Sequence, residues 1–308
     1  MSVSPEVSTT EHFAIVHEAQ AGFAPGTGRT LEQAYKRFYQ AFSCAGFDLS
    51  QPTGRLTWLC FPRQSGFNEY TLQAEGMGLS WLDAYYSTLT NRVAVVQPSP
   101  KPVDRDRMDA APQSEVRLTL ASNAEQRGGV LPLPASEPQL DVARLTHELA
   151  HQLAFNSGLQ KRGVMYPFWV SEGLATNFEF DSPAGVGFQG SSIGRRDCLV
   201  KAYAAGELMP LWQFIVQANA PTDMGQSRRC YAQAWAFFRY LLTERSTALR
   251  TYLGRAAALP PGPRGPATLR REFTEAFGSL ESVEDSWNAF LDRQAREQQE
   301  QDGKPLTP

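Results

Sequence analysis

The chain has 308 residues, enough for one large domain or two small ones, and its 42% apolar fraction with 18 Phe supports a full core. A net charge of −3 leaves no basic footprint for nucleic acid. No run approaches the roughly 18 apolar residues of a membrane-spanning helix, so no integral membrane segment is expected.

Met1 to Glu11 lacks the basic n-region and apolar h-region of a signal peptide. The default expectation is therefore the cytoplasm, or export if a signal has been removed. His12 to His17 (HFAIVH) reads as a short strand and Gly26 to Gly28 as a turn. From Thr30 to Cys44, Leu31, Ala34, Tyr35, Phe38, Ala41 and Phe42 recur at a helical period. Thr30 and Gln33 fit a capping box, and Gly46 closes the helix. Arg55 to Phe61 is a second strand, stopped by Pro62, and Asn68 to Ala74 a short helix ended by Gly76. Leu79 to Ser87 and Arg92 to Gln97 alternate in character and predict a hairpin across Thr88 to Asn91. Residues 98–115 are an irregular insertion rich in Pro, Asp and Arg, followed by a short strand over Val116 to Ala121.

A helix is predicted from Ser136 to about Phe155, with Ser136 and Gln139 as a capping box and Gly158 as its stop. Val142, Leu145, Leu149 and Leu153 form its core stripe, while His147 and His151 lie on nearly the opposite face. His147-Glu148-Leu149-Ala150-His151 reads H-E-x-x-H. Residues four apart share a helix face, so both imidazoles can meet one metal ion. Glu148 sits about 100° round the axis, beside the ion, where a carboxylate takes a proton from water.

A catalytic zinc commonly has three protein ligands and one open position. Glu172 is the expected third ligand to a single Zn2+; Ser171 would cap a new helix running to about Phe180, placing Glu172 in its first turn. Asp141 and Glu179 are its competitors. Residues 181–191 are a Gly-rich loop, and helices are expected near 193–205, 210–218, 228–246, 246–257, 267–277 and 281–297. The chain thus divides into an N-terminal α/β lobe over 1–135, a helical zinc-binding lobe over 136–297 and a disordered tail over 298–308. Cys44, Cys60, Cys198 and Cys230 show no C-x-x-C spacing and are expected as buried free thiols, with disulfides left open.

HELAH at His147 to His151, followed by WVSEGLA at Trp169 to Ala175, resembles the gluzincin metallopeptidases. The wider wording, THELAHQLAFN from Thr146 and PFWVSEGLATNFE from Pro167, is similar to a bacterial group known as domain of unknown function 1570. The resemblance implies an α+β fold with a thermolysin-like core, a mixed-sheet N-terminal lobe and a mostly helical C-terminal lobe with zinc between them. It implies hydrolysis of a peptide or protein substrate, with Glu148 as general base. Gluzincins often supply an oxyanion donor from a downstream segment, and Tyr231 is the candidate, with Tyr166 as alternative. Many also hold a zinc histidine with an Asp four residues after the glutamate ligand. Here that position is Thr176, so Asn177, Glu179 or a backbone carbonyl must serve. In such enzymes a sheet edge near the metal accepts substrate, which makes the 79–97 hairpin a candidate. The rival readings are a catalytically idle zinc-stabilised module that binds peptide or protein, and a zinc hydrolase of another amide or ester.

Overall fold

Side chains alternate across a strand, and at the centre of the N-terminal part residues of both resulting faces pack into apolar clusters. The computed structural model describes residues 5–18, 24–96, 142–179 and 192–301. It contains β1 (Pro5–Thr9), β2 (Phe13–Glu18), α1 (Ala24–Cys44), β3 (Leu56–Phe61), α2 (Gln64–Glu75), β4 (Ala84–Ser87) and β5 (Arg92–Val96). These strands form one sheet in the order β1-β2-β3-β5-β4, parallel through β2, β3 and β5 and antiparallel at both edges. Leu56, Trp58 and Cys60 of β3 join the main core, whereas Leu59 and Phe61 point the other way, toward Phe67 of α2 and Leu82.

Several boundaries differ from the sequence expectation. Strand β1 was not expected, because Pro5–Thr9 is largely exposed and its support comes from backbone pairing with β2 rather than from an apolar period. Gly26 to Gly28 is not a turn but lies in the first turns of α1. Thr30 does not cap; its hydroxyl donates to the Gly26 carbonyl at 3.1 Å. A Cβ on Gly28 would stand 2.8 Å from Thr10 Cγ2, so this residue lets the helix approach the β1–β2 connection closely. Helix α2 begins at Gln64 instead of Asn68 and ends as expected at Gly76, whose φ is 74°. Strand β4 is shorter than its apolar run, since Leu79 and Leu82 pack into the smaller core before pairing begins.

The rest is helical: α3 (Val142–Asn156), α4 (Phe168–Asn177), α5 (Ser192–Ala204), α6 (Leu211–Phe214), α7 (Met224–Glu244), α8 (Ser246–Ala258), α9 (Pro266–Phe277) and α10 (Leu280–Gln301). The molecule is therefore α+β, with a five-stranded mixed sheet and a mostly helical C-terminal part. The 98–115 insertion, the Val116 to Ala121 strand, the Ser136 helix start and the 181–191 loop lie outside the described residues. Helix α10 passes the expected start of a disordered tail at Gln298, whose side chain donates to Asp197 of α5. Among the described residues no helix is long and apolar enough to cross a membrane. All four cysteines are free; Cys60 and Cys230 are buried, Cys198 is half-buried, and Cys44 is exposed rather than buried as expected.

Two contacts place the elements that matter most. Trp58 Nε1 donates to Gln152 Oε1 at 2.9 Å, and Gln152 Nε2 donates to the Asn91 carbonyl at 3.2 Å, which fastens α3 to the sheet. Helix α4 crosses α7 so closely that a Cβ on Gly173 would meet the Ala234 carbonyl oxygen at 2.6 Å. Trp169 anchors α4 further, packed against Phe237 of α7, Tyr252 of α8, and Phe273 and Phe277 of α9.

Candidate metal centre

On α3, Val142, Leu145, Leu149 and Leu153 are buried as one stripe, so His147 and His151 face away from it toward α4. Their Nε2 atoms are 3.2 Å apart. Glu172 reaches them from α4, with Oε2 3.4 Å from His147 Nε2 and Oε1 3.4 Å from His151 Nε2. The three residues form a possible metal-binding triad whose ligand atoms lie within 4.8 Å of one another. Glu172 Oε2 is buried and among the described residues has only the long 3.4 Å contact with His147 Nε2, which is what a candidate metal ligand shows when only its protein neighbours are counted. Two imidazole nitrogens and one carboxylate are a zinc-type donor set.

Glu172 is not in the first turn of its helix. Helix α4 starts earlier, at Phe168, with Pro167 as its cap. Tertiary contacts decide this: the Phe168 N–H donates to the Gln217 carbonyl at 2.7 Å, and Trp169 Nε1 to the Ile215 carbonyl at 3.3 Å. Ser171 is consequently inside the helix, where its hydroxyl accepts from Gln160 Nε2 at 3.5 Å. The helix also stops short of Phe180, at Asn177.

Behind the triad, Glu179 takes the place that Thr176 does not fill. His147 Nδ1 is 2.8 Å from Glu179 Oε1, and the other Glu179 oxygen accepts from Arg195 Nε at 3.2 Å and from its Nη2. Thr176 instead donates to the Glu172 and Gly173 carbonyls, at 2.6 and 3.1 Å. The Asn177 amide donates to the Gly173 and Trp235 carbonyls, at 2.6 and 2.9 Å. Glu179 thus pairs with His147 from outside the triad and is not a member of it, and Asp141, the other competitor, lies outside the described residues. Arg195 was not singled out from the sequence, since nothing local marks one arginine among many as the partner of a distant carboxylate.

Charge balance follows from this packing. Burial opposes a charged His147, but hydrogen bonds and charges from Glu172 and Glu179 overcome it and hold its pKa up at about 10. Burial likewise opposes ionised Glu172, yet the charge of His151 and the hydrogen bonds of both histidines keep it well below the usual carboxylate range. Glu179 is held down at about 2, against burial, chiefly by Arg195 and then by His147. Glu148 behaves oppositely: burial raises its pKa, although the charges of His147 and His151 and the Tyr86 N–H lower it. That N–H belongs to β4, an edge strand of the sheet.

Tyr231, on α7, is 7% exposed and its hydroxyl has no hydrogen-bond partner among the described residues. After burial, the charge of Glu172 is the largest influence raising its pKa, and Arg195, Glu179 and Glu148 also act on it. The Arg195 guanidinium lies 6.0 Å from its ring. The Tyr166 hydroxyl is engaged elsewhere, accepting from the Lys161 N–H at 2.9 Å.

A family model described as "Protein of unknown function (DUF1570)" matches residues 141–262, the stretch that carries His147, Glu148, His151, Glu172, Glu179, Arg195 and Tyr231. No curated protein matches the chain.

Proposed function

We propose that the chain is a zinc-dependent metallopeptidase of gluzincin type, with a thermolysin-like core, that hydrolyses peptide bonds. The observation that carries this reading is a further acidic group, Glu148, outside the His147–His151–Glu172 triad but buried beside it and held by a backbone N–H. A site that only stabilises a fold needs no such residue, whereas a hydrolase needs a base. One zinc ion at the triad would lower the pKa of its bound water toward ~7 and polarise a carbonyl.

The chain's own residues supply the rest. Glu148, with a pKa raised by burial, accepts the proton of the attacking water and passes it to the leaving amine. The outer edge of β4 offers backbone groups to which a peptide adds as a further strand. Tyr231, with its unpartnered buried hydroxyl, is the donor for the developing oxyanion.

The test is zinc content of the purified full chain together with cleavage of a peptide library, before and after a chelator. About one zinc per chain, with cleavage lost on chelation and regained with zinc, is expected. A protein that takes up no zinc overturns the reading, and one that binds zinc but cleaves nothing favours the binding module instead.

Tyr231→Phe separates the donor role from packing. It is expected to lower kcat by about 10²–10³-fold with zinc content unchanged. Stability of the metal-free form should hold or rise, because a buried hydroxyl without a partner is unfavourable by about 1–3 kcal/mol. An unchanged kcat would remove Tyr231 from the machinery.

A further inference from the structure

We propose that Arg195 is a positioning residue for the metal centre, acting through Glu179 on His147; the inference rests on the metal-binding reading above. The side chains on α4 nearest in sequence to Glu179 do not reach His147 Nδ1, since Thr176 and Asn177 donate to backbone carbonyls of α4 and α7. The bond at Nδ1 therefore falls to Glu179, which stands beyond the last turn of α4, where no helical ladder orients it. Arg195 supplies a constraint from α5. Its Nε and Nη2 both converge on Glu179 Oε2, which leaves Oε1 turned to His147. A planar guanidinium gripping one carboxylate oxygen by two N–H groups fixes direction as well as distance. With Glu179 so held, the Nδ1 edge of His147 is fixed and Nε2 is turned toward Glu172 and His151. The same guanidinium lies 6.0 Å from the centre of the Tyr231 ring, so one arginine neighbours both the proposed ligand histidine's partner and the proposed donor.

The experiment compares the full chain with Arg195→Met, Arg195→Lys, Glu179→Gln and the Arg195→Met/Glu179→Gln double variant, using Zn2+ and a competing chelator as the affinity readout. Arg195→Met is expected to weaken zinc binding by about 10–100-fold, the usual effect of losing a partner of a metal-bound histidine. Arg195→Lys should restore part of that loss, which a merely structural contact would not require. The double variant should bind no more weakly than Glu179→Gln alone, because both changes break one chain of contacts. Wild-type or tighter affinity in Arg195→Met, or in Glu179→Gln should Arg195→Met fail to fold, overturns the proposal, and so do fully additive losses in the double variant. If the wild type itself takes up no zinc, the metal reading fails as well. If the wild type binds and Glu172→Ala does not, unchanged Arg195 variants count against this proposal alone.

Discussion

Glu148→Gln is expected to retain about one zinc per chain while peptide hydrolysis falls by about 10²–10⁴-fold, the range for loss of a positioned general base. The reasoning begins with what Glu148 does not do. The triad that gathers its ligand atoms within 4.8 Å consists of His147, His151 and Glu172, without Glu148. The amide oxygen of Gln can still accept the Tyr86 N–H, so local geometry should persist. Burial disfavours the charged carboxylate, so a neutral amide should leave the melting temperature unchanged or slightly higher. Lost cleavage, retained zinc and intact stability together identify a chemical role and not a folding defect. Retention of more than about a tenth of wild-type activity would contradict the assignment, since a base contributes at least about 10²-fold.

Glu172→Ala should act on the other half of the site, and its effect on zinc affinity should exceed the roughly 10–100-fold loss typical of an outer partner. It removes one of the three proposed ligands, and equilibrium dialysis against a graded chelator reads the change directly. Affinity within about threefold of wild type would exclude Glu172 from the ligand set. The same variant carries a pH signature in the metal-free protein. His147 is raised to about 10 from an ordinary 6.5, so its contribution to stability is complete below about 6.5 and is lost as pH climbs toward 10. Glu172 is depressed, so its contribution is present above about 4.5 and is lost as pH falls. Metal-free wild type should therefore draw most from this pair between about pH 4.5 and 6.5. Glu172→Ala should flatten the decline on the alkaline side, leaving only the part due to Glu179. A melting-temperature series from pH 5 to 10 with identical slopes in both proteins would remove Glu172 as a cause of the His147 shift.

How far the sequence carried the site depends on whether a feature lies within one helix or between elements. His147, His151 and the Val142–Leu153 stripe share a helix, and the period of 3.6 residues orients them without further information. The helix ends at Gly46, Gly76 and Gly158 were legible for the same reason, because a left-handed residue closes a helix locally. The start of α4 was not. Ser171 is a good cap by propensity, but Pro167, the Gln217 carbonyl and the pocket around Trp169 outweigh it. Strand β1 was missed because its exposed residues carry no apolar period, and Gly28 was misread because its reason is an approach by Thr10, not a turn.

From the sequence alone came a candidate metal-binding helix with a proposed base beside its first histidine, a candidate carboxylate on a second helix, and an α+β order of elements. Which carboxylate meets both histidines, and which one holds His147 from behind, was decided only in three dimensions. Both Glu172 and Glu179 are within reach on paper. The close crossing of α4 over α7 at Gly173 sets Glu172 against both Nε2 atoms, and the grip of Arg195 turns Glu179 to Nδ1. Helical periodicity constrains side chains relative to their own axis. The distance and angle between axes come from packing, and packing involves residues that no local pattern connects.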